Sequence, residues 1–208
     1  MIRPILLLTT VLGLAGCEVL QNQQSAAPAL YVLKAEASGT VPSTAIATLP
    51  AMRPAAIVVS PTALPEFLDR AEFVERDGSN LLKPVDGHRW GERLGVGVTR
   101  VVAENLQRLL PRDLVTPAPG RGRQAFDFEV GVDISRFALS EGGQTEVTGR
   151  WTVLDAESGK ILASEQFAER RPAGSGYDGQ VSAMNANLAG VSTLIARAIG
   201  ALPPPVSP

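Results

Sequence analysis

The stretch that most constrains this sequence runs from residue 125 to residue 170, where apolar and polar side chains alternate in three successive segments. In Ala125–Ile134, Phe126, Phe128, Val130, Val132 and Ile134 alternate with Asp127, Glu129, Gly131 and Asp133. A period of two places one set on each face of a strand, so one face is buried and the other wet. Gln144–Asp155 repeats the pattern with Val147, Trp151 and Val153, and Lys160–Arg170 repeats it with Ile161, Ala163 and Phe167. Glu141-Gly142-Gly143 and Glu157-Ser158-Gly159 supply the turns. Three strands joined this closely predict an antiparallel meander whose apolar face needs a covering layer.

Two helical patterns provide that layer. Gly91–Leu110 carries Leu94, Val98, Val101, Val102, Asn105, Leu106 and Leu109 on one stripe, with Arg100 and Glu104 opposite and Pro111 closing it. A final helix is expected from Asp178, acting as its N-cap, to about Gly200, with Val181, Met184, Leu188, Val191, Leu194, Ile195 and Ala198 as its stripe. Its other face, with Ser182, Asn185, Ser192 and Thr193, carries little charge and suits solvent or a second subunit, so homo-oligomerisation stays open. Upstream, Leu30–Lys34 reads as a short strand, Ala35–Met52 as a loop and Ala56–Ser60 as a buried strand. Glu72–Arg76 and Asn80–Pro84 flank the turn signal Asp77-Gly78-Ser79 and read as a hairpin. The expectation is an α+β domain over residues 30–202, an antiparallel β-sheet with two main helices packed on one face, followed by a Pro-rich tail at 203–208.

The first residues have a different logic. Arg3 precedes Ile5–Leu14, an apolar run with no charge. At about ten residues it is too short to span a bilayer core of roughly 30 Å, and it reads as the core of a signal peptide over residues 1–16. Ala15 and Gly16 lead into Cys17, the only cysteine of the chain, and Leu14-Ala15-Gly16-Cys17 resembles the bacterial lipobox. Lipidation suits the site physically. One acyl chain binds a membrane only marginally, whereas each buried methylene adds about 0.8 kcal/mol, so two or three chains hold. Residues 17–29 then form the lipidated cysteine and a flexible tether rich in Gln, Ser, Ala and Pro. In the sorting pattern this resembles, Asp beside the cysteine retains a lipoprotein in the inner membrane. Glu18 therefore points to the outer membrane, on its periplasmic face.

Chemistry beyond anchoring is sparse. His88 is the only histidine, and with Cys17 consumed by lipid no Cys-His pair forms. One histidine cannot complete a zinc site, and no Gly-x-Ser-x-Gly elbow precedes a helix. No catalytic residue, cofactor or metal is expected. With 19 basic and 21 acidic residues the chain has no field to gather nucleic acid, and no such partner is expected. Asp127, Glu129 and Asp133 form an acidic strand face that reads as solvated rather than as a Ca²⁺ site. His88-Arg89-Trp90 is the most distinctive cluster, either a recognition patch or a tryptophan anchoring the helix start with Arg89 paired to Glu92 or Asp86.

Leu64-Pro65-Glu66-Phe67-Leu68-Asp69-Arg70, then His88-Arg89-Trp90-Gly91-Glu92-Arg93-Leu94, Ala103-Glu104-Asn105-Leu106 and the later Arg150-Trp151 resemble the ABC-type transport auxiliary lipoprotein family, the PqiC-like membrane integrity-associated transporter subunits. The Gly95-Val96-Gly97 run departs from the family pattern at the helix start. The resemblance implies a non-catalytic subunit of an MCE (mammalian cell entry) type envelope lipid-transport system. Its partners would be an MCE-domain protein and the inner-membrane transporter or permease, besides the membrane itself through the lipid anchor. Arg70, His88, Arg89 and Trp90 are the candidate partner-binding residues. A periplasmic lipid-binding protein that encloses an acyl chain is the alternative, and an envelope hydrolase using His88 is a third reading.

Overall fold

The computed structural model describes residues 27–40, 53–77, 80–118, 125–140, 143–203 and 205. The expected signal peptide, Cys17, Glu18, most of the tether, and the turn residues Gly78, Ser79, Glu141 and Gly142 lie outside the described residues.

The alternating segments form the expected meander of β6 (Phe128–Ser140), β7 (Gln144–Asp155) and β8 (Ile161–Pro172), antiparallel throughout. Register brings Val130, Val153 and Ala163 side by side, and Val132, Trp151 and Glu165 likewise. Partners across a strand share a face, so a continuous apolar surface forms on β6 and β7. On β8 only Phe167 is deeply buried; Ile161, expected on the apolar side, is exposed because the register slips beside Leu154.

The sheet holds more than that meander. Along the other edge of β6 runs β2 (Ala56–Val59), parallel to it, and beyond β2 lies β5 (Leu114–Pro117), parallel again. The order is β5-β2-β6-β7-β8. The expectation of one antiparallel sheet therefore becomes two mixed sheets within the same α+β class. The second sheet has the order β1-β4-β3, with β1 (Ala29–Tyr31) parallel to β4 (Leu81–Trp90) and β3 (Glu72–Asp77) antiparallel to it. β4 runs well past the expected end of the hairpin, through Pro84 to Trp90. Proline is tolerated because β1 pairs only with His88–Trp90, leaving that side of Pro84 a free edge that needs no N–H donor.

The helices are α1 (Leu94–Leu109) and α2 (Gly176–Ala201). α1 starts three residues later than expected, because the Gly91 N–H still donates to the Tyr31 carbonyl at 2.7 Å and so belongs to the sheet. α2 starts earlier, with Ser175 at the N-cap position and no side-chain cap bond, which corrects the expected cap at Asp178. Asp178 sits in the first turn, where a carboxylate meets the positive end of the helix dipole. α1 supplies the crossover that a parallel β2–β5 pair requires. It covers β2 and β5, α2 covers β7 and β8, and the helices pack against each other. Val98, Val101, Val102 and Leu106 meet Leu188, Val191 and Ile195 over Ile57, Val59, Val130 and Val153, all fully buried. Burying each such side chain contributes about 1.5–3 kcal/mol.

Candidate functional site

After β2 the chain follows β6 for a few more residues, with the Ala63 N–H donating to Val132 and the Ile134 N–H to Ala63. Pro65 then opens a single turn in which its carbonyl accepts from Leu68 at 2.8 Å. Leu68 is buried, and the turn aims Asp69 at the start of α1. There the Asp69 carboxylate accepts from the Gly95 N–H at 3.2 Å and pairs with Arg93. It is a cap supplied from outside the helix, where Arg93 at the N-cap position has no acceptor of its own to offer. A Cβ on Gly95 would lie 3.4 Å from Asp69 Oδ1, Leu64 Cδ1 and the Thr62 carbonyl, at ordinary contact distance, so the 62–69 segment packs directly on the start of α1.

Arg70 follows and meets Glu72 at 3.3 Å; Arg89 reaches the same carboxylate at 3.9 Å. This replaces the expected pairing of Arg89 with Glu92 or Asp86. The Glu72 carboxyl is held below its ordinary range by its own backbone N–H and then by Arg70. Glu92 is instead bound by Arg100 at 2.5 Å, which raises the Arg100 pKa further, with Glu104 adding to it at 3.1 Å.

Three of the four candidate partner-binding residues lie at the end of β4, and the fourth, Arg70, lies just before β3. His88 and Trp90 point inward, while Arg89 points out beside Arg70. Trp90 stacks on Phe73 with ring centroids 4.3 Å apart and meets Phe137 of β6 edge-on at 6.3 Å. The Tyr31 hydroxyl lies 3.0 Å from His88 Nδ1, and the Tyr177 ring lies 4.1 Å from the His88 ring. Tyr177 donates to Glu75 at 3.0 Å, and burial first, then Glu75, raises its pKa. These rings join β1, β3 and β4 to β6 and to the first turn of α2. The surroundings of His88 give it packing and a hydrogen bond.

A second feature escaped the sequence. Residues 32–38, read as part strand and part loop, lie extended between α1 and α2, with Leu33, Ala35 and Ala37 buried and their neighbours exposed. Among the described residues no strand pairs with this strap, and helix side chains bind its backbone. Arg100 donates to the Leu33 carbonyl at 2.9 Å and Arg108 to that of Ala35 at 2.7 Å. Asn185 accepts from the Lys34 N–H at 3.0 Å and Asn105 from the Ala37 N–H at 2.9 Å. Asn185 and Ser192, expected on the outward face of the last helix, are buried, Asn185 against the strap and Ser192 bonding back to the Leu188 carbonyl at 2.8 Å. The alternation Leu33, Ala35, Ala37 was the available signal, weakened by two small residues.

The other face of the meander is polar. Glu146 is nearly buried between guanidiniums, accepting from Arg170 at 2.8 Å and lying 3.2 Å from Arg136 Nε, whose geometry makes that contact ionic rather than a hydrogen bond. Of the acidic strand residues, Asp127 is held by Arg53 at 2.5 Å and Glu129 by the Ser60 hydroxyl. An open groove of about 710 Å³ lies on this face, lined by Ala63, Leu64 and Pro65 along one wall and by Thr148, Arg150 and Gln166 among others. No helix among the described residues is long and apolar enough to cross a membrane.

This arrangement is shared with known proteins. An uncharacterized protein of solved structure matches with a TM-score of 0.62 and 18% identity, over 80% of this chain and 99% of that one. A Xanthomonas campestris protein of the DUF330 family matches with a TM-score of 0.62 and 15% identity, over 81% and 92%. At such identities the likeness establishes the fold. No curated protein matches the sequence. The family model for the ABC-type transport auxiliary lipoprotein component covers residues 31–196, from the end of β1 into the last turns of α2. The chain belongs to the ABC-type transport auxiliary lipoprotein family.

Proposed function

We propose that this chain is a non-catalytic docking subunit of an MCE-type envelope lipid-transport system, held at the periplasmic face of the outer membrane. Family membership across residues 31–196 is the observation that carries the reading. It covers most of the described residues, and in this reading the first thirty serve export, lipidation and tethering. In this reading Cys17 bears the lipid, Glu18 directs it to the outer membrane, and the tether presents the domain to a periplasm-spanning MCE-domain protein whose other end meets an inner-membrane transporter or permease. Of the candidate contact residues, His88 and Trp90 act indirectly by holding the small sheet in place, and Arg70 and Arg89 are the ones presented outward. Crosslinking in intact envelopes followed by pull-down of the full chain tests this. Recovery of an MCE-domain protein is the expected result; repeated recovery of other envelope proteins without one overturns it.

A further inference from the structure

The outward face of the small sheet combines two properties at the point where the tether enters the fold. Leu30 is 65% exposed and Val32 46% exposed, while the intervening Tyr31 and the following Leu33 turn inward. Leu30 stands in register with Arg89, and Arg89 with Glu72, so all three share one face. Val32, two residues on, shares it too. The Arg89 side chain is 52% exposed and that of Arg70 46%, and the two guanidiniums meet a single carboxylate, Glu72. The local balance is one positive charge in excess, set beside two exposed apolar side chains.

We infer that this face rests on the phospholipid surface in which Cys17 is anchored. Leu30 and Val32 enter the boundary between headgroups and acyl chains, and Arg70 and Arg89 take lipid phosphates. Such contacts combine buried apolar area with attraction between cations and anionic groups. A guanidinium forks onto phosphate oxygens more favourably than an ammonium does. The length of chain between anchor and fold selects this occupant over a protein. Residues 18–28 span at most about 40 Å when fully extended, so the membrane is never farther than that from β1. A surface tethered so closely is at high effective concentration against the bilayer, and a small patch suffices. The inference rests on the reading of Cys17 as the lipid anchor, and it assigns Arg70 and Arg89 to lipid in place of the protein partner.

The full-length chain, purified from membranes and reconstituted into vesicles of phosphatidylethanolamine and phosphatidylglycerol, provides the test. A lipidated Cys17 has no free thiol, so wild type stays unlabelled and a single added cysteine takes an environment-sensitive thiol fluorophore. Leu30→Cys reports the proposed face. Ile161→Cys, similarly exposed at 60%, reports the far end of the meander, about 30 Å along β6 from Phe137. The probe at position 30 is expected to emit to the blue of the probe at 161 and to be quenched several-fold less by iodide. Adding Arg70→Glu and Arg89→Glu should remove most of that protection. Equal quenching at both positions overturns the inference, as does protection that arises only when transporter proteins are reconstituted alongside. A wild-type chain that takes the label has a free Cys17, which removes the anchoring reading and this inference together, whereas an unlabelled wild type with equal quenching removes this inference alone.

Discussion

At the scale of residues, two carboxylates carry testable weight. Asp69 satisfies the Gly95 N–H at the start of α1, a donor that has no partner within the helix. Asp69→Ala should destabilise the fold by about 1 kcal/mol in urea denaturation, as loss of an N-cap does. Asp69→Asn keeps an acceptor and loses only the exposed pair with Arg93, so its loss should be smaller. Equal losses would mean that the ion pair, not the cap, matters. Asp127 makes a different prediction. Arg53 first, and the Ala56 N–H as well, hold its carboxyl below the ordinary range. A depressed acid contributes stability above its unfolded value of about 3.9 and loses it as pH falls through the folded value. Asp113 is pushed up, chiefly by burial, and has the opposite sign: its contribution is present at low pH and fades as pH rises through its folded value. Asp127→Asn should therefore flatten the acid limb of the stability curve while leaving its neutral part nearly level. An acid limb as steep as that of wild type would refute the assignment.

At the scale of elements, the bend in β6 is the sharpest test. The register slips between Ile134 and Arg136, and opposite the slip stands Gly149 of β7. A Cβ there would lie 2.1 Å from the Asp133 carbonyl oxygen and 2.9 Å from Phe167 Cζ. The carbonyl belongs to the backbone and cannot move alone, so the strand pair must shift as a whole. Gly149→Ala should cost about 1–3 kcal/mol by overpacking. A Cβ on Gly131, mid-strand in β6, would meet nothing within 4 Å, and Gly131→Ala should be neutral or slightly stabilising. Thermal unfolding of the two variants side by side decides the matter; equal shifts would deny the close approach. Alternation made the strands legible in the sequence, but not the bulge, because a bulge is a mismatch between two strands and neither carries it alone.

At the scale of the molecule, the aromatic cluster is what joins the two sheets. Trp90 touches Phe73 in its own sheet and Phe137 in the other. Trp90→Ala should cost about 3–5 kcal/mol, the range for deleting a buried large aromatic side chain. Hydrogen exchange should locate the damage: β3 and β4 lose protection first, and the meander last. Uniform loss across both sheets would mean that the cluster does not join separable units. The same cluster divides the conspicuous His88-Arg89-Trp90 motif. A strand sends alternate residues to opposite faces, so one tripeptide divided into two inward members and one outward member.

The sequence by itself determined the α+β class, the meander, the two helices with their buried stripes and the family, because each is written as a local period or a local motif. Long amphipathic elements fix their own type and buried face from neighbouring residues alone. Tertiary structure decided everything that needed a distant partner. β5 is four residues long and exists because β2 offers it an edge. The strap across the helices needs Asn105, Asn185, Arg100 and Arg108 to receive its backbone. The cap of α1 comes from Asp69, twenty-four residues before Arg93, and the pairing of Arg89 with Glu72 follows from strand register. A hydrogen bond between residues far apart in sequence leaves no period to read, and only the folded chain brings its two ends together.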